Sequence, residues 1–201
     1  MKNLLSDKYN ADLALELKSY YLDCFGSSKR IDYGTGHEIN FVCIIYILMC
    51  TGLFDISDAR EIIHHIFFDY ILLVRKIQIQ YKLEPAGAHG VWGLDEYHFL
   101  PFLFGASELI NNDNIVPESI LDDNIIKEYA DTYMYISCIQ YIKTVKKGGS
   151  FQNHSPTLAS ICNVPNWKKV SQGLVKMYVD EFFKKWVIMQ HFYFGSVIRF
   201  E

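Results

Sequence analysis

The chain has 201 residues, half of them hydrophobic and 15% aromatic, which suits one packed domain over residues 1–201 and excludes a disordered chain. Its net charge of -4 is mild and comes without a basic run, which excludes nucleic-acid binding driven by counterion release. Five widely spaced cysteines, odd in number and without a CxxC, fit buried thiols in a reducing compartment better than a zinc or disulfide framework.

The amino-terminal residues MKNLLSDKYN have no apolar core of the signal-peptide kind. Residues 7–24 then place Leu13, Leu17, Tyr20 and Tyr21 at helical spacing, with charges between them. Residues 25–36, FGSSKRIDYGTG, read as a loop. Residues 37–51 read as a second helix, apolar nearly all round and therefore central, which Gly52 stops. The most apolar run, residues 39–53, falls short of the roughly twenty residues that cross a bilayer, so no membrane span is expected. The expected location is the cytoplasm, with the nucleus as a second compartment.

Asp58 stands three residues before Glu61, a capping-box-like start. From there to Tyr81 the pattern predicts the clearest helix of the chain. Its buried stripe is Ile62, Ile66, Tyr70, Leu73, Ile77 and Tyr81, with Arg60, Asp69, Lys76 and Gln80 largely off it.

Residues 81–105, YKLEPAGAHGVWGLDEYHFLPFLFG, interrupt the periodicity. Gly87, Gly90 and Gly93 recur every third residue, so no ordinary helix or strand runs through them. Val91 and Trp92 are apolar residues that a solvated linker does not need. The loop is therefore either a binding surface presenting an indole ring or a plug for the core. Residues 95–109 return to helix, with Pro101 bending it or confining it to the first turns. Asp95 is either the cap of that helix or a functional acid.

Residues 111–114 form a turn, and Pro117 and the Asp122–Asp123 pair mark further breaks. Residues 124–146 read as one helix burying Tyr129, Tyr133, Ile136, Ile139, Tyr141 and Ile142. Residues 147–155 read as a loop. Ser155 and Pro156 then fit the N-cap and first position of a short helix to Ile161. Residues 167–184 form the last long helix, with Val170, Leu174, Met177, Tyr178 and Glu181 along it. The tail, residues 186–200, reads as extended chain packed on the helices. The class is all-α.

Signatures of covalent chemistry are missing. Gly34-Thr35-Gly36 is a lone GxG, no GxxxxGK[ST] or GxSxG occurs, and His37-Glu38 lacks a second histidine at position 41, which is Phe. His64 and His65 point about 100° apart on a helix, which is poor chelating geometry. Binding, or a reaction without a nucleophile, is what remains.

Four blocks then carry a resemblance: IDYGTGHE at 31–38, LEPAGAHGVWGLDEYHFLPFLFGASEL at 83–109, HSPTL with the following VPNWKKVSQGLVKMY to Tyr178, and VIMQHFYFGS at 187–196. Together they resemble the phosphotyrosyl phosphatase activator family, the activators of type 2A serine/threonine protein phosphatase, also described as peptidyl-prolyl cis–trans isomerases. The resemblance implies an all-helical bundle core with a lid and linker around a central cleft, without much of the family's usual N-terminal segment. It implies ATP and Mg²⁺ as cofactors. The implied partners are the phosphatase catalytic subunit with its scaffold subunit, a proline-containing peptide, and a second copy of the chain around that peptide. By position, Arg30, Thr35 and Gly36 would contact the nucleotide, and Val187, Ile188, Met189 and Gln190 would close the far side of that site. Gly90 and the acidic pair after Leu94, with Glu96 as the ligand, would lie by the metal. Trp92, Gly93 and Asp95 would face the peptide or the phosphatase as the catalytic set. A non-catalytic scaffold that binds the phosphatase is the alternative function.

The residues have their own rationale at these positions. A glycine-containing loop opening a helix at His37 offers backbone N–H groups to a phosphate, and Arg30 adds a planar cationic fork. An ordinary loop with a surface arginine is the other reading. Asp32 and Glu38 either hold Mg²⁺ or cap the helix.

Overall fold

The computed structural model describes residues 7–87, 93–146 and 148–200. The chain is all-α and divides into two compact units. One comprises Met1–Glu84 with Gln190–Glu201, the other Pro85–Met189.

In the first unit α1 (Asp7–Asp23) packs on α2 (Thr35–Cys50). α1 buries Leu13, Glu16 and Tyr20, with Cys24 one turn further on, at helical spacing. α2 ends where the sequence predicts: Gly52 adopts φ 75, which frees its backbone to leave the helix. A short strand β1 (Asp32–Tyr33) pairs with β2 (Glu84–Pro85).

The following helical run starts earlier than the Asp58–Glu61 pair suggests. Asp55 is the cap: its Oδ1 accepts from the Ser57 amide at 2.9 Å, while the Asp58 carboxylate accepts from the Asp55 amide at 3.1 Å. A 3₁₀ turn (Ile56–Asp58) leads into α3 (Ala59–Glu61), a π-helical segment (Ile62–Phe67) and α4 (Phe68–Tyr81).

That π segment corrects the predicted stripe. One turn of π-helix takes up an extra residue, so the buried row steps from Ile62 to Phe67 and continues through Tyr70, Ile71, Val74 and Gln78. Ile66, Leu73 and Tyr81, placed inside by an uninterrupted 3.6-residue period, are exposed instead. The row seats Tyr70 flat on Phe41, with centroids 3.9 Å apart. Its hydroxyl lies 2.7 Å from that of Tyr33 and donates to the Cys24 carbonyl at 2.6 Å, so Tyr33 is the donor between the two.

The tail beyond Gln190 is extended chain laid on α1. The Tyr20 hydroxyl donates to the Tyr193 carbonyl at 2.8 Å. The buried Glu16 carboxylate accepts from the amides of Ser196, Val197 and Ile198 and from the Ser196 hydroxyl.

In the second unit α5 (Leu100–Glu108) packs against α7 (Met134–Val145) and α10 (Trp167–Tyr178). α5 begins five residues later than Asp95, with Pro101 in its first turn where its missing N–H costs nothing. Residues 124–146 are two helices rather than one, α6 (Asp123–Tyr129) and α7. Poor helix formers, Asp131 and Thr132, occupy the break, and the Glu108 carboxylate on α5 accepts from the Met134 amide at 3.1 Å, fixing where α7 restarts.

α8 (Phe151–His154) is a single turn inside the segment read as loop. α9 (Pro156–Ser160) follows Ser155 as predicted, although the Ser155 side chain makes no capping bond. α10 is capped by Asn166, whose Oδ1 accepts from the Lys169 amide at 3.0 Å, and continues as a π segment (Val179–Phe183). α11 (Trp186–Met189) adds one helical turn where extended chain was expected. Buried Tyr135, Phe102 and Trp167 centre this core, and the Trp167 indole donates to the Ile115 carbonyl at 2.6 Å. Among the described residues no helix is long and apolar enough to cross a membrane.

Candidate functional site

The sequence-predicted residues fall in both units, and each group has its own local geometry. In the first unit the loop before α2 is tightly determined. Ile31 lies at φ 54, a left-handed conformation that costs a residue of its kind roughly 1–2 kcal/mol. Both of its backbone groups are engaged: its amide donates to the Ser27 carbonyl at 2.7 Å and its carbonyl accepts from the Glu84 amide at 2.8 Å. Gly26, at φ 99, faces the Asp32 carbonyl so closely that a methyl there would sit 2.6 Å from it. The bend therefore persists, and it brings Arg30, Asp32 and His37 together.

The Arg30 Nε donates to Asp32 Oδ2 at 2.8 Å. This hydrogen bond, with the carboxylate's charge, raises the arginine's pKa further above its ordinary value. The His37 Nδ1 lies 2.6 Å from the Asp23 carbonyl and Nε2 lies 3.4 Å from an Arg30 guanidinium nitrogen. Arginine only donates and a carbonyl only accepts, so in the neutral ring the proton sits on Nδ1 and Nε2 is the acceptor. Asp32 Oδ1 is buried, has no hydrogen bond, and lies 3.6 Å from that Nε2. Most of the Arg30 side chain remains exposed.

Behind this group α2 opens at Gly34, which is extended and offers no side-chain cap. The first helical amides, Thr35 and Gly36, precede the ladder that begins with His37 and Glu38 donating to the Gly34 carbonyl at 2.9 and 3.1 Å. A methyl added at Gly36 would meet nothing within 4 Å, so the fold of this chain does not itself require glycine there. A cationic fork, free N–H groups at a helix mouth and open space are what a phosphate needs. Glu38 is fully buried, and Asp32 is taken by Arg30. His37 was legible only as half of a failed zinc motif; its spacing from Arg30 and Asp32 matches no regular element, so only the bend at Ile31 reveals it.

In the second unit Gly93 and Leu94 are buried, and Asp95 carries out a structural role. Its Oδ2 accepts from the Tyr97 and His98 amides at 3.2 and 3.1 Å, an Asx-type turn that closes the loop before α5. Glu96 is paired with Lys146, Oε1 to Nζ at 3.1 Å, and the same ammonium donates to the His154 carbonyl at 3.2 Å. Burial, and then the Lys146 charge, lower the His154 pKa, with Glu96 opposing. Among the described residues no three His, Cys, Asp or Glu side chains cluster as a metal would need.

Gly90 and Trp92 lie outside the described residues, as does the Val187 side chain. Ile188 and Met189, on α11, are half-buried, and the exposed Gln190 side chain lies 3.4 Å from the His191 ring. Ile188 and Met189 belong to the second unit, whereas Gln190 begins the returning segment of the first.

The chain is similar to a set of known proteins. It is 46% identical over 189 residues to the serine/threonine-protein phosphatase 2A activator 2 of Saccharomyces cerevisiae, covering 93% of this chain and 53% of that one. It is 44% identical over 185 residues to the protein of the same name from Kluyveromyces lactis, covering 92% and 51%. A crystal structure of the PP2A phosphatase activator Ypa1 PTPA1 superimposes with a TM-score of 0.77 at 37% identity, covering 90% of this chain and 57% of that one. The chain thus spans about half the length of the curated relatives it matches. The family model of the phosphotyrosyl phosphate activator (PTPA) protein matches residues 1–200, and the chain belongs to that family.

Proposed function

We propose that this chain activates a type 2A serine/threonine protein phosphatase, acting on its catalytic subunit as a peptidyl-prolyl cis–trans isomerase and a nucleotide-dependent chaperone. The observation that carries the reading is identity of 44–46% across more than nine-tenths of the chain with proteins named as activators of that phosphatase. The phosphatase catalytic subunit with its scaffold subunit, a proline-containing peptide, and a second copy of the chain around that peptide are the proposed partners.

The α2 mouth supports the nucleotide part. Arg30 with the amides of Thr35 and Gly36 would hold phosphate oxygens, and the Ile31 bend keeps the fork in place. A nucleotide brings Mg²⁺ on its own phosphates, which suits an ion that takes few protein ligands.

Rotation about an X–Pro bond needs no nucleophile. Its barrier of about 18–20 kcal/mol falls when a site binds the twisted amide better than either planar form. An aromatic wall and a donor aimed at the prolyl nitrogen both act that way, and Trp92 with the Gly90 or Gly93 amides is the proposed source. The engagement of Asp95 in its own turn favours a scaffold as the second reading, since that carboxylate is taken up in closing the loop.

A protease-coupled prolyl-peptide assay tests the proposal, with and without ATP, on the native chain and on Gly36→Ala. The native chain should accelerate isomerisation, and ATP should change the rate. Gly36→Ala should lose the ATP effect without a lower melting temperature, because alanine is the better helix former by up to about 1 kcal/mol and meets no neighbour. No acceleration by the native chain leaves only the scaffold.

A further inference from the structure

One face of α1 reads a short segment of the chain in detail. Glu16 and Tyr20, a helical turn apart, are both all but inaccessible. The Glu16 carboxylate accepts from the amides of Ser196, Val197 and Ile198 at 2.6, 3.0 and 3.0 Å, and from the Ser196 hydroxyl at 2.8 Å. The Tyr20 hydroxyl donates to the Tyr193 carbonyl, and its ring meets those of Phe192 and Tyr193 with centroids 6.0 and 5.6 Å apart. Position 195 admits glycine alone. A Cβ there would overlap the Glu16 carboxyl group, which cannot step aside without leaving its four donors.

The segment also holds its own shape. The Gly195 amide donates to the Ile198 carbonyl at 2.8 Å, and the Arg199 Nε donates to the Ser196 carbonyl at 3.0 Å. The turn so closed aims three successive amides at one acceptor, a backbone nest that suits an anion. This segment follows the whole of Pro85–Met189, so the first unit is completed by a piece not contiguous with the helix that seats it. None of these contacts depends on which copy of the chain supplies the piece, and exchanging an identical element between protomers is a low-cost route to a dimer.

We propose that the Glu16–Tyr20 seat on α1 is a self-association address, which residues 192–198 of a second copy occupy in place of the chain's own. The resident segment competes through its high effective concentration, so the exchange is strongest where that segment is blocked. It needs no phosphatase, nucleotide or prolyl peptide, so its failure and the failure of the activating function are separate results.

The test is complementation between two full-length variants in sedimentation velocity. Glu16→Ala keeps the segment and loses the seat, whereas Gly195→Val keeps the seat and loses the segment. Each alone should be monomeric, and an equimolar mixture should form a 1:1 dimer. A second measurement uses native chains carrying donor or acceptor dyes, mixed and concentrated. They should develop energy transfer that an excess of synthetic peptide 190–200 abolishes. The same peptide with the Gly195→Val change should need at least about tenfold more to do so, because it cannot enter the seat. The inference is overturned if the mixed variants stay monomeric. Where either variant fails to fold, the native chains decide: no energy transfer, or transfer that both peptides abolish equally, overturns it.

Discussion

Glu16→Ala is expected to destabilise the first unit by about 3 kcal/mol or more, the cost of leaving several neutral donors without their charged acceptor. The Glu16 carboxylate is all but inaccessible and accepts from three successive amides and a hydroxyl, at 2.6 to 3.0 Å. Its removal leaves those donors beneath the tail without an acceptor, and each unsatisfied group costs about 1–3 kcal/mol. Gly195 makes this contact possible, because a methyl at that position would overlap the carboxyl group itself.

The same latch has a pH dependence with a definite sign. Burial pushes the Glu16 pKa up, but the hydrogen bonds from Ile198, Val197 and Ser196 outweigh it and hold the group below its ordinary value. A depressed carboxylate stabilises the fold fully above its unfolded-state pKa, and the contribution is lost as pH falls through the folded one. Urea melts at neutral and acid pH should therefore converge for the native chain and Glu16→Ala as acid is added. An equal gap at every pH would contradict the account.

Gly105→Ala is expected to destabilise the second unit by about 3 kcal/mol, the upper part of the overpacking range. Helix propensity alone argues the other way, for a gain of about 0.8–1 kcal/mol. The close approach of α5 to α7 decides the sign. A methyl on Gly105 would overlap the Tyr135 backbone, with the Tyr135 Cα at 2.8 Å, and a backbone cannot swing aside as a side-chain tip can. Forcing the helices apart also separates Tyr135 from Phe102 and Trp167, now at 5.4 and 4.8 Å between ring centroids. Chemical denaturation followed by circular dichroism measures the effect; a variant as stable as the native chain would show that the helices do not meet there.

Much of the fold was legible because most helices here announce themselves by apolar period, by Gly52 after α2, by Pro156 at the start of α9 and by Pro101 in the first turn of α5. What escaped the sequence has specific causes. The π segment at Ile62–Phe67 shifts a buried row without any Gly or Pro to mark it. The break between α6 and α7 is fixed by Glu108, a tertiary partner 26 positions away. The Asp95 carboxylate closes a turn instead of starting a helix, a choice that composition does not distinguish.

The candidate site was legible unevenly. Arg30 and Gly36 stand out as a cation beside a glycine-bearing helix mouth. His37 and Lys146 do not, because each acquires its role from a neighbour that no periodic spacing predicts.

The central claim is that this chain carries the activating function named for its relatives. Its most direct test is to incubate the chain with ATP, Mg²⁺ and an inactive type 2A phosphatase catalytic subunit, and to follow serine/threonine phosphatase activity. The account predicts a rise in that activity over the subunit incubated alone. Activity that stays at the level of the untreated subunit would contradict it.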